Sequence, residues 1–147
     1  MPFARFKLDL QASSDHGRPA RIVKDTDVVL DQTSSPDCVL LDSTGELQDW
    51  YAVASIVFVG KSLTAHGGQN PVEPILAGKP VLFGPYMENF FALARALVAN
   101  RAAVQVNDSR ALEEKIGWLL REPEAASALV ANAQAVLTRH SGSTARA

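Results

Sequence analysis

Short apolar runs alternate along the chain with longer segments in which apolar residues recur every three or four positions. The runs span only about five residues, which is typical of strands buried on both faces of a parallel sheet. The spacing in the intervening segments predicts amphipathic helices. The predicted strands cover residues 38–42, 56–60, 80–84 and 102–106.

Capping signals precede the predicted helices. Side chains of Ser, Thr, Asp and Asn accept hydrogen bonds from the free N–H groups of a first helical turn, and Pro is favoured at the first helical position. Glycine is common just past a helix end, which places the end of the second helix at Gly78. The predicted helix starts are a Ser43-x-x-Glu46 capping box, Asn70 before Pro71, Asn89, Asp108 or Ser109, and Pro123.

Strands that alternate with helices predict an α/β fold, a Rossmann-like doubly wound parallel sheet. Ligands of such sheets bind beyond the carboxyl ends of the strands. Loops 42–46, 60–70 and 84–89 are therefore expected at the ligand-binding edge. Residues 38–147 are assigned to this domain, whereas residues 1–37 show little pattern and are expected to be an incomplete first part of it.

Composition narrows the class of protein. The 147 residues fit one domain, and 47% hydrophobic with 20% charged residues argue against disorder. Lys and Arg total 14 against 16 Asp and Glu, so no basic excess indicates nucleic-acid binding. The single cysteine, Cys38, excludes an internal disulfide framework and is expected in the core. With one cysteine, a reducing, cytosolic compartment is expected, and no apolar run approaches the length needed to span a bilayer.

The most informative segment for chemistry runs from Gly60 to Pro74. Gly67 and Gly68 allow the backbone to approach a ligand closely, and they lead into a helix N-terminus that favours an anion such as phosphate. Glu73, in the first turn of that helix, is placed to accept hydrogen bonds from two ribose hydroxyls. A plainer alternative stays open, in which the loop only connects two elements and Glu73 only stabilises the helix dipole.

Other candidates are weaker when taken singly. The Ser43-Thr44-Gly45-Glu46 loop would meet phosphate or base, or would simply cap its helix. Lys61 would neutralise a phosphate, or would be an ordinary surface lysine. For His66 no partner at catalytic spacing is visible, so a binding or surface role is expected. No metal-binding motif is present, and no cofactor is predicted. Four aromatic residues at helical spacing are expected in the core: Trp50, Tyr51, Phe90 and Phe91.

Taken in order, four stretches of the chain resemble the 3-deoxy-D-manno-octulosonic acid (Kdo) transferases. The close resemblance covers about residues 38–106, and a looser one extends to the tail. The stretches are Asp42-Ser43-Thr44-Gly45-Glu46-Leu47, Val57-Phe58-Val59-Gly60-Lys61-Ser62-Leu63, Gly67-Gly68-Gln69-Asn70-Pro71-Val72-Glu73-Pro74, and Gly78-Lys79-Pro80-Val81-Leu82-Phe83-Gly84-Pro85 with Glu88-Asn89-Phe90.

The resemblance implies the C-terminal half of a GT-B glycosyltransferase, whose two Rossmann-like domains face each other across a cleft. That half binds the donor, CMP-Kdo. By matching positions, the 43–46 loop would border the nucleotide, and Asn70 and Glu73 would hold the phosphate end and the ribose. Ser62, Gly67 and Gly68 would line the phosphate side.

The resemblance also implies a reaction and a place. Kdo would move from CMP-Kdo to a lipid A precursor in lipopolysaccharide biosynthesis, at the cytoplasmic face of the bacterial inner membrane and without a catalytic metal. Two departures from the family pattern lie in the loop, where Lys61 replaces a usual glycine and Gln69 a usual histidine.

The family's N-terminal half carries the acceptor site and a general base, and nothing in residues 1–37 resembles it. We therefore expect no catalytic residue in this chain. It would bind CMP or CMP-Kdo without transferring sugar, with a partner polypeptide as one source of the other domain. The alternatives are a non-catalytic remnant that binds nucleotide or protein, and half of a related GT-B enzyme that uses another nucleotide sugar.

Overall fold

The computed structural model describes residues 22–24, 38–40 and 47–145, and side chains within 47–142. Contacts divide the chain into two units, Met1–Glu46 and Leu47–Ala147. The predicted capping box and the 43–46 loop lie outside the described residues.

In the first unit, strands β1 (Ile22–Lys24) and β2 (Cys38–Leu40) pair in parallel. The register sets Ile22 opposite Cys38 and Lys24 opposite Leu40. The predicted strand that begins at Cys38 is confirmed.

The second unit contains a parallel sheet of three strands in the order β3–β4–β5. Helices connect the strands, which confirms the predicted alternation. Along the chain the elements are α1 (Leu47–Val53), β3 (Val57–Phe58), α2 (Val72–Leu76), β4 (Val81–Phe83), a 3-10 turn (Glu88–Phe90), α3 (Phe91–Ala99), β5 (Val104–Gln105), α4 (Ser109–Arg121) and α5 (Pro123–Ala145).

Strand β4 is buried on both faces, as its continuous apolar run predicts. Val81 and Phe83 face a cluster with Ile75 of α2 and Leu97 of α3. Leu82 faces the other way, toward a cluster that includes Leu119 of helix α4 and Leu129 of helix α5. Helices therefore cover both sides of the sheet, which is the doubly wound arrangement.

Helix α5 contributes to both clusters, because Leu129 lies in the α4-side cluster and Ala133 and Val136 lie in the other. Its 23 residues are long enough to reach both. The helix continues through the polar tail as far as Ala145.

Most of the predicted helix ends are found. The Asp108 carboxylate caps α4 by accepting the N–H of Ala111 at 2.7 Å. After α2, the N–H of Gly78 bonds to the carbonyl of Ile75 and that of Lys79 to Pro74, the paired bonds of a Schellman end.

Three expectations are wrong in detail. Asn89 does not cap α3, because it lies inside the 3-10 turn and Phe90 occupies the cap position. Phe91 is 62% exposed and lies beneath the guanidinium of Arg95 rather than in the core. The helical spacing of Leu112, Ile116, Leu119 and Leu120 predicts one apolar face for α4, but Leu120 is 60% exposed, since Leu119 takes the buried position beside it.

Candidate functional site

The loops that follow β3 and β4 meet at the carboxyl edge of the sheet, where sequence analysis placed the ligand. The N–H of Gly68 donates to the carbonyl of Tyr86 at 2.9 Å, and the N–H of Tyr86 donates to the carbonyl of Ser62 at 2.9 Å. Parallel neighbouring strands bring their carboxyl ends together, so the two loops pack side by side as a layer over this edge of the sheet.

Ser62 lies at the base of this layer and is fully buried. Its hydroxyl donates to the carbonyl of Val59 at 2.6 Å and accepts from the N–H of Gly84 at 2.8 Å. Both bonding directions of the hydroxyl are thus used inside the protein. Ser62 supports the loop from beneath.

Gly67 and Gly68 are each required by a different feature of the loop geometry. Gly67 has φ +89°, a conformation that side chains rarely adopt. Gly68 is buried, and a Cβ there would lie 2.5 Å from the sulfur of Met87 and 2.8 Å from the carbonyl oxygen of Tyr86. The N–H of Gly68 is already bonded to Tyr86, so this residue shapes the loop through its lack of a side chain.

Lys61 is exposed beside this turn. Its backbone is left-handed, with φ 71°, and its Nζ lies 3.6 Å from the point where a Cβ on Gly67 would stand. The ammonium group is therefore next to the glycine turn, as the phosphate-neutralising role requires.

Glu88 was missed by sequence analysis, and it holds the tip of the loop. One carboxylate oxygen contacts Nδ1 of His66, and the other accepts the N–H of Gly67 at 2.9 Å. Hydrogen bonds from the N–H groups of Gly67 and of Glu88 itself, with the contact to His66, lower the pKa of the Glu88 carboxyl to about 2. An ionised carboxylate only accepts, so Nδ1 of His66 is the donor.

The ring of His66 also stands edge-on to that of Tyr86, with centroids 4.7 Å apart. Sequence analysis found no partner for His66 at catalytic spacing, whereas the structure pairs it with Glu88; its side chain is 82% exposed, in keeping with the expected surface role. The sequence signal that could have identified this pair is the placement of His66 and Glu88 in loops at the same edge of the sheet, although 22 positions separate them along the chain.

Asn70 and Glu73 lie at the start of α2. The Asn70 side chain accepts the N–H of Val72 at 2.9 Å, which is the predicted capping role one residue beyond the assigned boundary. Helix α2 has five residues, and Pro74 carries no N–H. Few free N–H groups therefore remain at this helix end for a phosphate.

Glu73 is exposed and lines an open cavity of about 270 Å³ with Gln48, Tyr51, Leu76 and Ala77. Burial raises the pKa of the Tyr51 hydroxyl, and the charge of Glu73 raises it further. The carboxylate thus faces helix α1 across a small space instead of pointing into the core. Tyr51, expected in the core, is half-buried and forms a wall of this cavity.

A second cavity of about 480 Å³ lies between β5, α4 and α5. Its walls are mostly apolar and include Val104, Trp118 and Leu129, with the cations Arg101 and Lys115 at its lining. None of its lining residues belongs to the loops at the carboxyl edge, so it is separate from the site built around Glu73.

Two further observations concern the described residues. They contain no group of three or more His, Cys, Asp or Glu side chains placed to hold a metal ion. No helix among them is both long enough and apolar enough to cross a membrane.

Two curated relatives match most of the chain. The sequence is 38% identical over 110 residues, 75% of this chain, to the 3-deoxy-D-manno-octulosonic acid transferase of Bordetella pertussis. It is 38% identical over 109 residues, 74% of this chain, to that of Haemophilus influenzae. The match covers 26% of each relative, so the chain spans about a quarter of the length of these relatives.

A solved structure shares the fold. The C-terminal CMP-Kdo binding domain of WaaA from Acinetobacter baumannii superimposes with a TM-score of 0.73 at 31% identity, covering 80% of this chain and 61% of that one. No protein-family model matches the sequence. The expected fold class, the C-terminal domain of a GT-B glycosyltransferase, is confirmed. By sequence and by fold, the chain is homologous to the 3-deoxy-D-manno-octulosonic acid transferases over the part that corresponds to the C-terminal domain of WaaA.

Proposed function

We propose that this chain binds the donor CMP-Kdo in a Kdo transfer reaction of lipopolysaccharide biosynthesis. The observation that carries the proposal is the match, at 31% identity and a TM-score of 0.73, to a solved domain described as binding CMP-Kdo. The position of Glu73 at the rim of an open cavity supports it, because a buried carboxylate would be unable to receive a ligand.

The nucleoside end of the donor binds at the cavity of Glu73. The carboxylate accepts hydrogen bonds from the two ribose hydroxyls, which are donors at adjacent carbons and match its two oxygens. Tyr51, on the facing helix, supplies an aromatic wall beside the sugar.

The phosphate end binds between Lys61 and Asn70, which are both exposed. The positive charge of Lys61 partly neutralises the negative charge of the phosphate, and it stabilises the negative charge that grows on CMP as this leaving group departs. Gly67 lies on this side, and the buried Ser62 and Gly68 fix its shape from beneath, since the Ser62 hydroxyl and the two glycine N–H groups are bonded within the protein. No step of this proposal needs a metal or another cofactor.

The complete reaction requires more than donor binding. A general base must be aligned with the acceptor hydroxyl and the anomeric carbon of the donor. We assign the acceptor, a lipid A precursor, and the base to a region outside the shared segment, on the same polypeptide or on a partner. The reaction then takes place at the cytoplasmic face of the inner membrane, and the 147 residues alone bind donor without transferring sugar.

Calorimetry with CMP, UMP and GMP tests the proposal. The three nucleotides have the same ribose and phosphate, so differences in affinity report recognition of the base. We expect CMP to bind more tightly than the other two by at least about tenfold, or about 1.4 kcal/mol. Absence of CMP binding would refute donor binding, and equal affinities would assign the chain to a less selective nucleotide site.

A further inference from the structure

The Glu88 carboxylate joins two loops that come from different strands. It accepts the N–H of Gly67 at 2.9 Å through one oxygen and contacts Nδ1 of His66 through the other. Within the described part of the chain, the side-chain polar contacts that His66 and the Gly67 N–H make with the loop after β4 all go to Glu88. Glu88 therefore makes the polar contacts that hold the tip of the glycine loop, beside the ring contact of His66 with Tyr86.

The base of the loop is held independently of Glu88. Backbone bonds from Gly68 to Tyr86 and from Tyr86 to Ser62 fasten it, and Ser62 is buried beneath. The tip is different, because the side chain of His66 is 82% exposed and that of Glu88 is 46% exposed. Loss of the carboxylate should thus release the tip and leave the base and the fold intact.

The tip must hold one conformation if it is to bind a ligand without being reordered. Gly67 has φ +89° but, as a glycine, is free to adopt many others. The bond from its N–H to Glu88 selects this conformation and keeps the turn next to Nζ of Lys61. A loop already held in its binding conformation does not have to be ordered by the ligand, which preserves affinity.

We propose that Glu88 is a positioning residue for the donor phosphate site, acting on the ligand through the Gly67 turn and His66 without touching it. This inference rests on the proposed donor-binding function. Both oxygens of the Glu88 carboxylate are engaged within the protein, one by the N–H of Gly67 and the other by Nδ1 of His66. The carboxylate, ionised at neutral pH, keeps its role as an acceptor throughout the physiological range.

Two variants and a matched control test the inference by CMP calorimetry on the full chain. Glu88→Ala removes both contacts, and we expect it to weaken CMP binding about tenfold. Glu88→Gln retains an acceptor for Gly67 and should recover most of that loss. Glu114→Ala removes an exposed carboxylate that pairs with Arg110 elsewhere, and it should leave the affinity unchanged.

Two further measurements separate positioning from a general effect on the fold. The thermal unfolding midpoint of Glu88→Ala should stay near that of the wild type, while the Gly67 amide exchanges faster. His66→Ala, which leaves the bond to Gly67 in place, should weaken CMP binding less than Glu88→Ala.

The outcomes are distinct. If Glu88→Ala binds CMP as well as the wild type, positioning is refuted and donor binding stands. If Glu88→Ala binds more tightly, the carboxylate competes with the phosphate, and positioning is again refuted. If the wild type itself binds no CMP, the donor-binding function is refuted together with this inference.

Discussion

The Ser62 hydroxyl accepts the backbone N–H of Gly84 at 2.8 Å, although 22 positions separate the two residues in sequence. Ser62 follows β3 and Gly84 follows β4, so this bond joins the carboxyl ends of neighbouring strands. The same hydroxyl donates to Val59 at 2.6 Å, and Ser62 is fully buried. The buried hydroxyl thus fastens the floor of the proposed donor site together with the backbone bonds between the two loops.

Replacing Ser62 with Ala should destabilise the protein by about 2 kcal/mol, because the buried N–H of Gly84 loses its partner. Chemical denaturation followed by circular dichroism measures the change. Ser109→Ala is the matched control, since Ser109 is exposed, and it should change stability by less than about 0.5 kcal/mol. Equal stability of the two variants would show that the Ser62 bonds contribute little.

Gly84→Ala should destabilise the protein at least as much as Ser62→Ala. A Cβ at this position would lie 2.3 Å from the carbonyl oxygen of Ser62 and 2.4 Å from the Cα of Leu63, so the backbone has to move. We expect a loss of about 3 kcal/mol in the free energy of unfolding. Gly142→Ala serves as the control, because no other atom lies within 4 Å of a Cβ placed at this position and alanine favours a helix. A mild effect of Gly84→Ala would mean that the two loops approach less closely than described.

The contacts of Glu88 predict an unusual titration. Its folded pKa is about 2, below the ordinary value of 4.5, so the loop contact stabilises the folded state above about pH 4.5 and is lost as the pH falls toward 2. Carboxyl-carbon NMR of Glu88 should show this low midpoint. His66→Gln should raise the pKa only partly, because the Gly67 N–H is the larger cause. A wild-type midpoint near 4.5 would show that the pair is absent in solution.

Much of the fold could be predicted because local rules decide it. The strand that contains Val81, Leu82 and Phe83 follows from its continuous apolar run, and the Asp108 cap follows from its side chain. The alternation of strands and helices then places loops 60–70 and 84–89 at one edge. No contact between distant residues was needed for these predictions.

The errors and omissions have a common physical origin. Phe91 and Leu120 fit a helical period, but the period does not determine which of several apolar residues faces the sheet. The bonds of Ser62 to Gly84 and of Glu88 to His66 and Gly67 join loops that are far apart in sequence. Their partners depend on strand order and loop conformation, which no local pattern specifies.

The central claim, that the cavity beside Glu73 holds the ribose of CMP, is tested most directly by CMP calorimetry on Glu73→Ala. Losing the carboxylate removes the acceptor for two hydroxyls, so affinity should fall at least about tenfold. Glu124→Ala is the matched control, an exposed acid in the first turn of α5 whose loss should leave affinity within about twofold. Wild-type affinity in Glu73→Ala would contradict the account.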